Sequence, residues 1–143
     1  MSEETTKKSP FTKLIWIALL GLIPLSFLFF SKSEDQTAVL YAAKCSNCHM
    51  PDGKGLRGLI PPLAGADYLE KFEHQLPCII KHGLQGDVMV NGTNYNQVMP
   101  ANEELSEVDI ANLVNYIRNE WGNDHPRIPL KQIQEDLKAC SHD

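Results

Sequence analysis

Residues 45–49 read Cys45-Ser46-Asn47-Cys48-His49, and this pentapeptide decides how the rest of the chain is understood. Two thiols separated by two residues, with a histidine next in line, make the C-x-x-C-H pattern that attaches haem c. Each sulfur adds across one haem vinyl group, and the gap between the cysteines matches the separation of the vinyls. His49 is then carried beneath the iron as its proximal ligand. Two other readings stand beside this one, because a C-x-x-C pair also serves as a thioredoxin-type redox couple or as half of a zinc site. Redox couples follow a strand in a βαβ setting, whereas the residues before Cys45 read as a short helix. A structural zinc needs a second close pair, and Cys78 and Cys140 stand far apart.

Outward from the pentapeptide, helical signals dominate. Residues 37–44 (TAVLYAAK) place Val39, Leu40 and Ala43 at helical spacing, with Asp35 or Gln36 near the start. The stretch 50–66 is punctuated by Gly53, Gly55, Gly58, Pro61, Pro62 and Gly65 and reads as an irregular loop. One helix is expected over 68–75, and a second opens at Pro77 and closes at Gly83. Asn91-Gly92 between apolar flanks marks a tight hairpin within 87–96. The clearest helix covers 106–121, with Ser106 and Asp109 resembling a capping box and Ile110, Leu113, Val114, Ile117 and Trp121 forming an apolar stripe. A tail follows Gly122, with a short helix over 130–139. There is no internal repeat.

A distal iron ligand is also required. Met99 stands in Gln97-Val98-Met99-Pro100, on a loop before the last clear helix. Thioether sulfur is a soft, neutral ligand, and His/Met ligation raises the reduction potential of haem iron. Met89, inside the expected hairpin, is the competitor; Met50 directly follows His49 and is poorly placed for the opposite face. A ligating histidine donates its other ring N–H to a fixed acceptor, and the carbonyl of Pro61 or Pro62 is the candidate here. The alternative is that these prolines only form a turn. His74, His82, His125 and His142 have no spacing relation to one another and read as surface or capping residues.

The first thirty residues are a separate object. Lys7, Lys8 and Lys13 precede residues 14–30 (LIWIALLGLIPLSFLFF), a run of 17 residues without a charge. As a helix this run spans about 25 Å, slightly short of a hydrocarbon core of about 30 Å. The preceding positive charge, with Glu34 and Asp35 beyond, favours an N-in, C-out anchor. A cleaved signal peptide is the alternative, although the run is long for one and lacks an A-x-A site. Either reading exports the remainder. From Ser31 onward there are 10 basic against 16 acidic residues and no basic stripe, which argues against a nucleic-acid partner.

Taken in order, Cys45-x-x-Cys48-His49, the loop ending Pro61-Pro62-Leu63-Ala64-Gly65, Tyr95-Asn96-Gln97-Val98-Met99-Pro100, and the helix bearing Leu113, Tyr116 and Trp121 resemble a class I cytochrome c domain of the small bacterial type. The resemblance covers roughly residues 37–122. It implies an all-α fold around one covalent haem c, with a small hairpin-like loop and the first and last helices crossing where Tyr41 and Tyr116 meet. It also implies that Pro61 offers its carbonyl to His49, that Leu63 touches the haem, and that Met99 is the distal ligand. Thr37 departs from the glycine common at the crossing. Lys54 and Arg57 read as ordinary solvated charges, with a place near the haem propionates as the other possibility.

The expected organisation is an anchor or signal in 1–33, a haem domain in 34–123 and an extension packed on it in 124–143. The expected function is one-electron transfer in a bacterial respiratory chain, on the periplasmic side of the inner membrane. Both axial positions are filled, so the chain is expected to be a carrier and not an enzyme. Its partners would be a quinol-oxidising complex and a terminal oxidase or reductase; a fixed haem subunit of a larger oxidase or reductase is the alternative. Cys78 and Cys140 remain over. In an oxidising compartment they are expected to pair and pin the tail, two free thiols being the alternative.

Overall fold

The computed structural model describes residues 35–140, which are mainly helical with one two-stranded hairpin. Helix α1 (Gln36–Lys44) starts where the Asp35 carboxylate accepts from the Thr37 N–H at 2.9 Å. Cys45 alone separates it from the single turn α2 (Ser46–His49), in which Cys48 and His49 N–H groups both donate to the Cys45 carbonyl. That turn brings the two cysteines and the histidine to one place.

After the loop come α3 (Tyr68–Lys71) and α4 (Leu76–His82). Strands β1 (Val88–Val90) and β2 (Thr93–Tyr95) then pair antiparallel around Asn91-Gly92, both at positive φ, as that dipeptide predicts. Pro77 lies in the first turn of α4 and Gly83 ends it, again as expected. Helix α5 (Glu107–Ile117) begins with a full capping box: Ser106 Oγ accepts from the Asp109 N–H at 3.2 Å, and Asp109 accepts from the Ser106 N–H at 3.1 Å.

The core is built on the apolar stripe of α5. Ile110, Leu113, Val114 and Ile117 are buried, and Leu69, Leu76 and Ile80 are buried with them. Helix α1 packs on α5 through Tyr41, whose ring lies 5.4 Å from Tyr116 and 5.0 Å from Trp121. Helix α6 (Leu130–Lys138) packs against α4 and α5 with Ile133 wholly buried. A Cys78–Cys140 disulfide joins α4 to the end of this tail, so the two leftover cysteines do pair. Asn115 pins the entry to the tail by exchanging two hydrogen bonds with the backbone of Ile128.

Two helices end earlier than the sequence suggests, and in both cases a side chain takes the carbonyl that would have continued them. In α3 the Leu69 carbonyl, which a longer helix would give to Glu73, accepts from the buried Arg118 guanidinium. In α5 the Ile117 carbonyl accepts from Asn123 Nδ2 at 2.7 Å. Trp121 therefore leaves the helix at φ +54, lies against Gly53 and donates its indole N–H to the Pro51 carbonyl at 3.0 Å. Among the described residues no helix is long and apolar enough to cross a membrane; the span expected at 14–30 lies outside them.

Candidate haem site

Cys45, His49, Pro61, Leu63 and Met99 line a single apolar cavity. Its walls include Leu69 of α3, Leu76 and Ile80 of α4, Val88 and Val90 of the hairpin, and Leu113 and Ile117 of α5. Pro62 lines it too, whereas Cys48 is exposed and Met89 lies outside the lining with 58 % of its surface exposed.

The histidine side of the cavity is set by the loop at 50–66. Leu63 and Ala64 N–H groups both donate to the Gly53 carbonyl, Gly55 N–H donates to the His49 carbonyl, and Leu56 bridges to Ile60. These bonds bring the Pro61 carbonyl to 3.1 Å from His49 Nδ1. Because a carbonyl only accepts, Nδ1 carries the proton and Nε2 keeps its lone pair. Burial lowers the His49 pKa, partly offset by the Pro61 hydrogen bond, so the neutral form, the one able to bind a metal, is favoured.

The methionine side is set by α4. Immediately after Gly83, Leu84 and Met99 exchange two backbone hydrogen bonds, of 3.0 and 2.9 Å. Gly83 is required there: its φ is +80, and a Cβ would collide with the Met99 carbonyl. Leu84 and Gly55 were not singled out as site residues by the sequence, because a pairing of residues 84 and 99 across the hairpin and a steric gap leave no local pattern. A wider, open hollow lies on the other flank of Met99, between α4 and the end of α6, and contains none of the other predicted site residues.

The chemistry separates the three readings of the pentapeptide. A thiol oxidoreductase needs a cysteine with a depressed pKa. Here burial, with Cys48 beside it, pushes the Cys45 thiol up to about 11. For zinc, no group of three or more His, Cys, Asp or Glu side chains is placed to hold a metal ion among the described residues. Haem c fits: the Cys45 thiol, a neutral imidazole and a thioether line a cavity whose remaining walls offer almost nothing but hydrocarbon, and the exposed Cys48 lies one turn on from Cys45. Lys54 is largely exposed and pairs with Asp52 at 2.7 Å, in keeping with an ordinary solvated charge.

Comparisons with known proteins agree. The sequence model of the Cytochrome c family matches residues 35–121. Cytochrome c-552 of Thermus thermophilus is 39% identical over 85 residues, which are 57% of this chain and 65% of that protein. The cytochrome c subunit of a quinone alcohol dehydrogenase from Gluconacetobacter polyoxogenes is 36% identical over 89 residues, 60% of this chain and 19% of the subunit. The corresponding subunit from Gluconobacter oxydans is 31% identical over 93 residues. The chain thus spans less than two thirds of the length of these relatives. With a matched family model over most of the described residues, the chain belongs to the cytochrome c family as a class I monohaem member carrying one covalent haem c.

Proposed function

We propose that this chain is a one-electron carrier of a bacterial respiratory chain, with thioether attachment at Cys45 and Cys48, His49 as proximal ligand and Met99 as distal ligand. Haem c supplies ferric–ferrous chemistry within the cavity. The protein supplies the rest. Pro61 orients His49 and raises its basicity, Leu63 and the core residues exclude water, and Leu84 presents Met99. With His49 and Met99 both holding it, the haem iron would keep no open position for a substrate, so the role would be transfer and not catalysis.

The observation that carries this reading is the convergence of His49 and Met99, each held by a separate backbone partner, on the cavity that begins at Cys45. Changing Cys45 and Cys48 together to Ala tests it. Covalent haem is expected to be lost, and with it folding, because the haem completes the core of a small domain. Stable, folded, colourless protein from that variant overturns the proposal.

The organisation that goes with this function is an N-terminal anchor in 1–33, a haem domain in 34–123 exposed to the periplasm, and an extension in 124–143. A quinol-oxidising complex would reduce the haem, and a terminal oxidase or reductase would oxidise it. Similarity to the cytochrome c subunit of quinone alcohol dehydrogenases favours a second reading, a fixed subunit of a larger complex. Isolation in mild detergent separates the two: a carrier runs alone, whereas a subunit co-purifies in fixed ratio.

A further inference from the structure

The segment that follows Met99 is tied to α4 by one side chain reaching two carbonyls. Lys81 Nζ donates to the Glu103 carbonyl at 2.6 Å and to the Leu105 carbonyl at 2.8 Å. Asn102 closes the same junction from the opposite direction. Its N–H donates to the Lys81 carbonyl at 3.1 Å and its side-chain amide to the Ile80 carbonyl at 3.3 Å. Three residues beyond Lys81, Leu84 holds Met99 itself. Both ends of the segment 99–105 are therefore fastened to the last turn of α4 and the residues just after it.

A neutral thioether is a weak ligand, so its hold on iron depends on how firmly the backbone keeps the sulfur in place. An ammonium on two carbonyls makes charge-assisted hydrogen bonds, stronger than neutral ones. The nearby Lys44–Glu104 pair differs: it joins two partly exposed side chains, at 2.6 Å, and bonds to no backbone group.

We propose that Lys81 is a positioning residue for the distal ligand: by bridging the Glu103 and Leu105 carbonyls it fixes segment 99–105 against α4 and keeps Met99 at the cavity. This rests on the reading of Met99 as the distal ligand. Lys81 touches neither haem nor iron and acts through the backbone of the loop.

The test uses the full-length holoprotein and carbon monoxide, which reaches ferrous iron only after the thioether has left. Lys81→Met keeps the hydrocarbon stem and removes all three donors. Its carbon monoxide binding is expected to be faster than wild type by at least roughly tenfold, the counterpart of losing two hydrogen bonds from a charged donor. The near-infrared band of methionine-ligated ferric haem is expected to weaken at neutral pH. Lys81→Arg, whose guanidinium also donates to two carbonyls, is expected to restore the wild-type rate, and Lys44→Met to leave it unchanged. If Lys81→Met does not fold, Lys81→Gln is measured against the same outcomes. A wild-type rate in the folded Lys81 variant overturns the clamp. A wild-type protein without the band, or one whose band survives Met99→Ala, overturns the ligand assignment instead.

Discussion

The carbonyl of Pro61 stands 3.1 Å from His49 Nδ1, and it stands there because Gly55 leaves it room. Gly55 has φ +64, and a Cβ on it would lie 2.6 Å from the Pro61 oxygen. A proline contributes here through the one hydrogen-bonding group it retains, while its ring stiffens the loop that aims it. The acceptor for the histidine is thus controlled by a glycine only six residues beyond it, on the same loop.

Gly55→Ala is therefore expected to act on the haem and not only on stability. The left-handed backbone and the displaced carbonyl cost about 1–3 kcal/mol together. Weakening the Nδ1–H bond makes the imidazole less basic and less able to stabilise ferric iron, so the reduction potential rises. Spectroelectrochemical titration beside urea unfolding reads both effects. An unchanged potential in a destabilised variant means that the Pro61 contact is structural alone.

For the distal ligand, Met99→Ala is expected to abolish the near-infrared band and lower the potential, because a stronger-field or aqueous ligand replaces the thioether. Met89→Ala is expected to change neither, since Met89 is on β1 with 58 % of its surface exposed and does not line the cavity. Loss of the band in the Met89 variant would reverse the assignment.

The parts legible in the sequence were those governed by local rules. Asn91-Gly92 specifies its turn through backbone preference, Ser106 and Asp109 cap α5 through neighbouring groups, and Pro77 and Gly83 bracket α4. The parts that escaped it depend on a partner remote in the chain. Trp121 continues the apolar stripe of α5 by spacing, yet Asn123 claims the Ile117 carbonyl and the indole turns to Gly53 and Pro51. His74 is a surface residue, as read, but the sequence does not show that its Nδ1 lies 3.2 Å from both oxygens of the buried Asp136, across 62 residues. The candidate site residues could be named because the pentapeptide and the Met-Pro loop carry their own spacing, and Cys45, His49 and Met99 do line one cavity. Leu84, which places one of them, carries no such spacing.

Arg118 gives a third prediction. Its side chain is almost wholly buried and donates to the carbonyls of Leu69 and Pro126 and to Glu73 Oε2, the last at 2.8 Å. Arg118→Ala strips two carbonyls of their partner and opens a void among α3, α5 and the tail. A loss of roughly 3 kcal/mol in urea unfolding is expected, near the upper end for a single buried network. A loss below about 1 kcal/mol would show that water replaces the guanidinium at little cost.

The cap of α5 predicts a pH dependence. The Ser106 hydroxyl and N–H both hold the Asp109 carboxyl below its usual value. A depressed folded pKa means stability that is present above the unfolded value and lost as pH falls through the folded one. Ser106→Ala removes the hydroxyl's bond to the carboxylate and the cap on the Asp109 N–H, but keeps the backbone N–H bond, at a cost of about 1 kcal/mol near neutrality. The gap between variant and wild type is expected to narrow below about pH 4, where the carboxylate protonates in both. A constant gap across the acid range would assign the whole effect to the hydroxyl acting on the Asp109 N–H.

The Cys78–Cys140 bridge closes an interval of 62 residues, and its removal tests what holds the tail. Other contacts remain without it, among them the two hydrogen bonds between Asn115 and Ile128, the bond from Arg118 to the Pro126 carbonyl, the His74–Asp136 pair, and Ile133 buried against the core. These belong to the folded state, whereas a cross-link acts mainly by restricting the unfolded chain. Reduction, or Cys78→Ala with Cys140→Ala, is accordingly expected to lower unfolding free energy by about 2–4 kcal/mol. The tail is expected to stay docked, its α6 amides remaining protected from hydrogen exchange in the reduced native protein. If α6 instead exchanges freely while the haem domain stays folded, the bridge is what docks the tail and the remaining contacts do not suffice. Alkylation of the unreduced, denatured protein checks the starting point, since neither Cys78 nor Cys140 is then expected to take up reagent.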